Sequence, residues 1–314
     1  MAKPKIVTLT MNPALDVSST VESVMPEAKL RGSPAVFEPG GGGVNVARVV
    51  QRLAGQPLAL FPADALNGHK LVTLLAKEGI QTQTVPMQGE VRMSLTLFER
   101  TSGREYRLTL PGPHMQTHEW QGLLRLLEDL SGVQFLVASG SLPPGVPTGF
   151  YVQLREIAEQ MQARVILDTS GEALRQAVDE GCAYLIKPNL RELAQLVGLE
   201  EIVGQAQLED AARQLVRARK CEVVVVSQGN AGATLITRDQ AHRFHAPTVP
   251  QRSTIGAGDS MVGGIVTALA AGRPLEDAVR YGIAAGSATV MSPGTNLCQR
   301  KDVEALYQQM LAEG

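Results

Sequence analysis

An acidic residue follows two glycines in the segment TIGAGDS, at residues 254–260. Small residues with helical periodicity come next, so we expect the backbone amides of Gly256, Ala257 and Gly258 to converge at a helix N-terminus, where anions bind. Glycine would let a phosphate approach closely. Asp259 would stand beside that anion, where its carboxylate either accepts the proton of an attacking hydroxyl group or simply caps the helix.

A second glycine cluster, PGGGGVNVAR at residues 39–48, leads directly into another predicted helix. Its four glycines leave no side chain to obstruct a ligand. Asn45, on the first turn of that helix, can hydrogen-bond sugar hydroxyl groups or cap the helix. Asp16 follows the first predicted strand and is either a turn residue or an acceptor for two sugar hydroxyl groups.

The segment LIKPNLREL, at residues 185–193, places Lys187, Asn189 and Glu192 at a strand end and the following helix start. Oxygen ligands near phosphates suit Mg²⁺, which binds largely through water because it loses its hydration shell reluctantly. The ordinary alternative is a surface helix whose acidic first turn complements the helix dipole. The five histidines lack the spacing of metal ligands, so they predict no metal site.

Several classes of protein are disfavoured. The P-loop motif is absent, and GAGDSM has Met261 where a dinucleotide-binding fingerprint has its third glycine. A formal charge of −2 without a basic block argues against a nucleic-acid partner. The three cysteines lack C-x-x-C spacing and suit a reduced compartment. Without a long apolar segment or a cleavage signal, we expect a cytoplasmic protein with no membrane partner.

Short apolar runs alternate along the chain with segments of helical periodicity. Strands are predicted at 5–10, 58–62, 134–140, 164–169, 183–188 and 222–229. Helices are predicted at 43–54, 67–79, 117–130, 148–162, 190–197, 207–219, 258–271 and 276–290. This alternation is typical of an α/β fold with a doubly wound, mostly parallel sheet flanked by helices, whose ligands bind at the carboxyl ends of the strands. The polar residues predicted at those ends are Asn12, Asp16, Ser139, Ser141, Asp168, Lys187, Asn189 and Ser227.

Residues 14–38 and 91–110 lack intervening helices. The run RMSLTLFERTSGREYRLTL within the second segment predicts a hairpin that turns at Ser102 and Gly103. We therefore expect a small separate β-sheet that covers a substrate as a lid or pairs with another subunit, because its apolar face cannot stay in water. No repeat or linker divides the sequence, so a single domain over 1–314 is expected.

Six ordered motifs resemble those of the ribokinase-like carbohydrate kinases, the PfkB family. They are TMNPALD, PGGGGVNVAR, SGSLPPGV, DTSGEAL, IKPNLREL and TIGAGDSMVGG, and the order and spacing fit the family from Asn12 to Cys298. The resemblance is greatest to the hexose-phosphate kinases of the family. It implies Mg²⁺-dependent transfer of the γ-phosphoryl group of ATP to the C1 hydroxyl of fructose 6-phosphate, as in 6-phosphofructokinases. It also implies a β-sheet lid that forms a homodimer interface.

The resemblance implies roles for particular residues. Asp259 would be the base, the amides of 256–258 the anion hole, and Glu192 would organise Mg²⁺. The residues implied for the sugar phosphate are Asp16, Lys29, Gly41, Asn45, Arg92 and Ser141. Those implied for the nucleotide are Lys187, Asn189, Ser227, Gly229, Gly232 and Ser287. Ser253 and Ser292 would assist a potassium site, although the chain departs from the family's cation loop at Ser292 and Asn296, which leaves potassium activation open.

One position bears on the choice of sugar. The 1-phosphofructokinases and tagatose-6-phosphate kinases of the family usually have lysine where this chain has Gly42, which favours fructose 6-phosphate. Those two activities are the same-class alternatives. A non-catalytic sugar-phosphate sensor is the alternative of another class, and the presence of Asp259 disfavours it because a sensor is expected to lose the proton acceptor. Contacts of Arg31, Arg104 and Arg107 are left open.

Overall fold

The structure is a computed structural model that describes residues 5–313, so residues 1–4 and 314 of the predicted domain lie outside it. The strands are β1 (Ile6–Leu9), β2 (Ala14–Val21), β3 (Val36–Gly40), β4 (Pro57–Ala63), β5 (Gln81–Pro86), β6 (Arg92–Glu99), β7 (Glu105–Thr109), β8 (Phe135–Ser139), β9 (Arg164–Asp168), β10 (Ala183–Ile186), β11 (Cys221–Ser227), β12 (Ala233–Ile236) and β13 (Ala241–Phe244). The helices are α1 (Gly42–Arg52), α2 (Asn67–Lys77), α3 (Thr117–Glu128), α4 (Phe150–Gln160), α5 (Gly171–Asp179), α6 (Leu190–Leu196), α7 (Gly204–Arg217), α8 (Ala257–Ala270), α9 (Leu275–Val290) and α10 (Arg300–Glu313).

The main sheet has the strand order β13-β12-β11-β10-β9-β8-β1-β4-β5. All neighbouring strands from β11 to β5 are parallel, whereas β12 and β13 join antiparallel at one edge. Both faces are covered: along β11, Val224 and Val226 belong to one hydrophobic core, and Val223 and Val225 to another. Strands buried on both faces read as continuous apolar runs, which is why they were predictable. The doubly wound, mostly parallel fold is confirmed.

Helices α8 and α9 pack closely on one face of this sheet through small residues. A methyl group at Gly264 would lie 2.8 Å from the Cα of Gly282, and one at Gly282 would lie 2.5 Å from Ile265. Only glycine therefore allows the two backbones to approach this closely. The contact fixes α8, and with it the N-terminus that carries Asp259.

A second, four-stranded sheet has the order β3-β2-β6-β7. The β6–β7 hairpin turns through Gly103 in a left-handed conformation with φ +67°. Residues alternate between the two faces. Asp16, Ser94 and Thr109 are paired across three strands and share one face, whereas Val17, Leu95 and Leu108 share the other. The predicted small sheet is confirmed, and its role as a lid stays a prediction.

The sequence analysis did not predict β5, β12, β13, α5 and α10. Strand β5 lies at the sheet edge, where Gln81 and Gln83 are exposed and remove the apolar run that marks a buried strand. Strands β12 and β13 are four-residue antiparallel additions, which a search for strand–helix alternation passes over. None of the helices described between residues 5 and 313 has the length and apolar character needed to cross a membrane.

Candidate active site

The N-terminus of α8 begins with a glycine in a left-handed conformation. Gly256 has φ +72° and is the N-cap, and its carbonyl accepts a hydrogen bond of 2.8 Å from the Ser260 amide. The amides of Ala257, Gly258 and Asp259 are therefore those of the first turn, which an α-helix leaves without intrahelical acceptors. Gly256, whose amide was expected to join the anion hole, thus precedes the first turn, and the Ala257 amide also donates to the Thr254 carbonyl at 3.4 Å. The amides of Gly258 and Asp259, together with the helix dipole, favour an anion at this position.

Asp259 lies in this first turn, partly buried. The side-chain amide of Asn45 donates a hydrogen bond of 2.9 Å to its Oδ2. Burial raises the pKa of Asp259 to about 7, and Asp168 and Asp16 raise it too, whereas the Asn45 hydrogen bond and the Lys187 charge act to lower it. A carboxylate with a pKa near neutrality is well matched to accept and release a proton.

Lys187 and Asp168 meet at the carboxyl ends of adjacent strands, β10 and β9. The Nζ of Lys187 lies 3.2 Å from Oδ1 of Asp168, and the lysine side chain is only 8% exposed. Burial acts to lower the pKa of Lys187, but Asp168, Asp259 and Glu192 together raise it above its usual value. The ammonium therefore stays charged beside the first turn of α8, about 3.6 Å from where a side chain at Gly258 would begin.

A cleft of about 220 Å³ separates the N-terminus of α8 from the small sheet. Predicted site residues that line it are Asp16, Gly41, Asn45, Arg92, Gly256 and Asp259. The lining also includes Ser94, Thr96, Arg107, Thr109 and Thr295, to which the sequence analysis gave no role. The face of the small sheet that carries Asp16 is therefore the one that looks onto Asp259.

Asp16 is held against the glycine cluster. A methyl group at Gly40 would lie 2.5 Å from the Asp16 carboxyl atoms, so a side chain there would displace the carboxylate. Burial raises the pKa of Asp16 to about 6; Arg48 and Arg92 act to lower it, and Glu38 acts to raise it. The carboxylate is thus an acceptor within reach of the cleft whose charge depends on its cationic neighbours.

The remaining glycines of the cluster bring the start of α1 against the strand ends. Gly41 has φ +102°, a conformation that favours glycine. Added methyl groups at Gly42 and Gly43 would lie 2.5 Å from the hydroxyls of Ser139 and Thr10 respectively. Gly42 therefore has a packing reason to be glycine that is independent of the choice of sugar.

Two arginines reach the cleft from the hairpin. Arg92 donates long hydrogen bonds of 3.4 Å to the Asn12 carbonyl, and the Asn12 amide donates to the Ser141 hydroxyl at 3.0 Å. Ser141 is thus connected to the cleft through Asn12. Arg107 is on β7, opposite Thr96. The alternation of the predicted hairpin could have placed Arg107 on the cleft side, since it shares a face with Arg92.

Apart from Ser287, the predicted nucleotide residues lie at the carboxyl end of β11 or on the neighbouring loops that follow β10 and β11. Asn189 and Ser227 form a β-bridge, and the Ser227 amide donates to the Pro188 carbonyl at 2.9 Å. Gly229 begins a short 3₁₀ turn, and a methyl group at Gly232 would lie 2.0 Å from the Phe244 carbonyl oxygen. Ser287 is buried on α9. The structure therefore brings Asn189, Ser227, Gly229 and Gly232 to the same edge of the sheet as Lys187.

Asn189 and Glu192 form a reciprocal capping box at the start of α6. The Asn189 side chain accepts from the Glu192 amide at 2.9 Å, and Glu192 Oε2 accepts from the Asn189 amide at 2.9 Å. Both side chains thus have a structural task. Among residues 5–313, no group of three or more His, Cys, Asp or Glu is arranged to hold a metal ion.

Three further predicted residues lie outside both the cleft and the loops that follow β10 and β11. Lys29 is exposed on the connection between β2 and β3. The backbone amide of Ser253 donates to the Val290 carbonyl at 3.3 Å. The Ser292 hydroxyl donates to the Ala288 carbonyl at 3.4 Å. Ser253 and Ser292 therefore share a region at the C-terminus of α9, and their potassium role stays a prediction.

The site combines the carboxyl edge of an open α/β sheet, a carboxyl group of pKa about 7 at a helix N-terminus, and a polar cleft with two arginines. This combination is typical of phosphotransferases that act on small polar molecules. The chain matches the pfkB family of carbohydrate kinases over residues 6–302. It is 42% identical to ATP-dependent 6-phosphofructokinase isozyme 2 of Mycobacterium tuberculosis over 98% of this chain and 90% of that protein. The chain belongs to the pfkB family, and it is a phosphotransferase that acts on a sugar hydroxyl.

Solved structures agree with this assignment. Phosphofructokinase-2 of Escherichia coli in complex with potassium has a TM-score of 0.94 at 40% identity, over 98% of this chain and 99% of that one. Structures of that enzyme with fructose 6-phosphate and in a tetrameric inhibited form match with TM-scores of 0.92 at 39% identity, with the same coverage. A ribokinase of Thermotoga maritima, 20% identical, shares the fold with a TM-score of 0.76 over 96% of this chain and 99% of that one. The predicted ribokinase-like resemblance is confirmed.

Proposed function

We propose that this protein is an ATP-dependent 6-phosphofructokinase, which transfers the γ-phosphoryl group of ATP to the C1 hydroxyl of fructose 6-phosphate and forms fructose 1,6-bisphosphate. The observation that carries the proposal is the position of Asp259, with a pKa of about 7, between the first-turn amides of α8 and a cleft that holds two arginines. The names of the similar proteins from Mycobacterium tuberculosis and Escherichia coli support the same substrate.

In the proposed reaction, Asp259 accepts the proton of the C1 hydroxyl as its oxygen attacks the γ-phosphorus. The bond from that phosphorus to the bridging oxygen breaks, and ADP leaves. The first-turn amides of α8 and the Lys187 ammonium offset the negative charge on the transferred group. Phosphoryl transfer requires alignment and charge neutralisation more than covalent help, and these groups supply both.

We assign the sugar to the polar face of the small sheet, which would act as the lid. Asp16, Gly41 and Asn45 lie in the cleft and would hold the sugar, with Ser141 behind them. Arg92 and Arg107 are the cleft's cations and would hold the 6-phosphate. Lys29 does not line the cleft. For Lys29 to contact the 6-phosphate, as predicted, the connection between β2 and β3 has to move towards the cleft.

The nucleotide is assigned to the loops after β10 and β11. Its proposed contacts are Lys187, Asn189, Ser227, Gly229, Gly232 and Ser287. Mg²⁺ fits beside them as an ion held mainly by phosphates and water, because the structure offers few carboxylates there and Glu192 already caps α6 with one oxygen. Bound Mg²⁺ would neutralise phosphate charge, and Glu192 and Asp168 would orient its waters.

A potassium site at the loop 292–298 is a further proposal. It is supported by the potassium complex of the Escherichia coli enzyme and by the position of Ser253, whose amide donates to the carbonyl of Val290 at the end of α9, just before this loop. Ser292 and Asn296 are the positions at which the chain departs from the family's cation loop, so the proposal applies to the backbone carbonyls rather than to those side chains.

Substituting Asp259→Asn removes the proton acceptor and keeps its shape. We expect kcat to fall at least about 10²-fold while ATP still binds, which is the scale expected for loss of a general base. Steady-state kinetics and nucleotide titration measure the two effects. Asp210→Asn, on the exposed surface of α7, is the matched control and should leave kcat unchanged. Normal turnover of the Asp259→Asn enzyme would refute the assignment.

The pH dependence of kcat/KM tests the hydrogen bond from Asn45. Asp259 must be ionised to accept a proton, so activity should fall as pH drops through about 7. Because the Asn45 hydrogen bond favours the ionised form, Asn45→Ala should raise the pKa and move the acidic limb of the profile to higher pH. Gln214→Ala on α7 serves as the control. An acidic limb that stays in place would contradict this account.

The sugar is tested by comparing kcat/KM for fructose 6-phosphate, fructose 1-phosphate and tagatose 6-phosphate, each with and without K⁺. We expect fructose 6-phosphate to give the highest value, by at least about tenfold, since misplacing the reacting hydroxyl sacrifices alignment. Preference for another sugar would replace the proposed substrate and keep the kinase class. Rates that do not respond to K⁺ when compared with Na⁺ would remove the potassium proposal.

The outer face of the small sheet supports a homodimer. Its groove of about 390 Å³ is lined by apolar side chains that include Leu95, Leu97, Tyr106 and Leu108. Leu108 is 56% exposed and Tyr106 is 40% exposed. Two copies that pack these faces together would remove a contiguous apolar surface from water.

Sedimentation measures this directly. The wild-type chain should sediment with twice its monomer mass at micromolar concentration, and Leu108→Lys should shift it towards the monomer because a buried, unpaired charge is costly. Val203→Lys is the control, since Val203 is 69% exposed and lies outside the small sheet. A wild-type protein of monomer mass, or a Leu108→Lys dimer, would exclude this interface.

A further inference from the structure

Two carboxylates lie directly opposite each other in the small sheet. Asp16 on β2 pairs with Glu38 on β3, so both side chains point to the same face. Like charges in this position repel unless a cation lies between them. Arg48 supplies it: its Nη2 lies 3.4 Å from Glu38 Oε1, its side chain is 3% exposed, and it acts to lower the pKa of Asp16.

The guanidinium of Arg48 is fixed from two further directions. Its Nε donates to both carboxylate oxygens of Glu78, at 2.9 and 3.1 Å, and its Nη1 donates to the Pro39 carbonyl at 2.9 Å. Planar, charge-assisted contacts of this kind define an orientation. The Arg48 guanidinium, whose orientation is fixed, therefore holds Oε1 of Glu38. Oε2 of Glu38 remains available for a contact with another residue.

Oε2 of Glu38 accepts a hydrogen bond from the hydroxyl of Thr295, a residue 257 positions away. Thr295 is buried and lines the cleft that contains Asp16 and Asp259, whereas Glu38 is not among the lining residues. The loop around Thr295 is tied down again by Arg52, whose Nη1 donates to the Leu297 carbonyl at 2.7 Å. The cleft wall is thus attached at Thr295 to a carboxylate that lies behind it.

We propose that Glu38 is a positioning residue for the sugar cleft, which holds Thr295 in the wall of the cleft through a partly buried, charge-assisted hydrogen bond. The inference rests on the proposed function, in which this cleft binds the hexose phosphate. A wall displaced by a fraction of an ångström misaligns the sugar. Such a displacement of the wall does not move the loops after β10 and β11, to which the nucleotide is assigned. Loss of the hydrogen bond should therefore act on the sugar phosphate and spare ATP.

Thr295→Val removes the hydroxyl and keeps the volume. We expect the KM for the hexose phosphate to rise about tenfold, the scale of one lost charge-assisted hydrogen bond, with the KM for ATP within about twofold of wild type. Glu38→Gln retains an acceptor oxygen and should cost only about two- to threefold. Glu38→Ala removes the same hydrogen bond and the contact with Arg48 as well, so it should raise this KM at least as much as Thr295→Val. The double variant should be no worse than Glu38→Ala, because the hydrogen bond to Thr295 is already lost in that single variant.

Glu159→Gln is the matched control, since Glu159 also pairs with an arginine, Arg155, but lies on α4 and does not line the cleft. It should leave the KM for the hexose phosphate unchanged. A Thr295→Val enzyme with a lowered Tm and an unchanged KM would overturn the proposal and leave Glu38 a purely structural residue. Fully additive effects of Glu38→Ala and Thr295→Val would overturn it too.

The comparison uses the hexose phosphate that the wild-type enzyme phosphorylates fastest. A preference for a sugar other than fructose 6-phosphate therefore defeats the proposed function and leaves this test intact. Calorimetric titration of the same four single variants with that sugar phosphate repeats the comparison without turnover. The same ranking of binding constants would confirm the role of Glu38, and equal constants would refute it.

Discussion

The charge on Asp259 is set by a balance between burial and local polar contacts, and the rest of the site depends on that balance. Burial and the carboxylates of Asp168 and Asp16 favour the neutral acid, whereas the Asn45 amide and the Lys187 ammonium favour the carboxylate. These groups come from α1, from the small sheet and from the ends of two strands. The main sheet brings them together because parallel strands present their carboxyl ends at one edge.

The small sheet serves two purposes because its side chains alternate. One face carries Asp16, Ser94 and Thr109 towards the cleft, and the other carries Leu95 and Leu108 towards solvent. A shift of one residue in strand register would exchange the two sets. Contacts made on the apolar face therefore also fix the polar face, which gives a reason for the proposed subunit contact to lie directly behind the proposed sugar cleft.

The sequence was sufficient to predict a site residue or a strand where the pattern and the structure that it forms lie in the same short segment. Asp259 and Asn45 were predictable from glycine-rich helix starts, and the buried strands from apolar runs. Thr295 was not, because its contact with Glu38 joins residues 257 positions apart. For Glu192, the same residues at the same spacing suit a capping box and a metal role, and only the structure shows that the capping box forms.

The loop that contains Thr295 connects the wall of the cleft to helix α8. Beyond its contact with Glu38, the Cys298 amide donates to the Thr289 hydroxyl at 2.9 Å, and that hydroxyl donates at 2.7 Å to Ser260, the neighbour of Asp259. These groups are buried, so breaking either contact would leave a polar group unsatisfied at a cost of about 1–3 kcal/mol. The loop is therefore held at both ends, and these hydrogen bonds resist a change in the distance between the cleft wall and the first turn of α8.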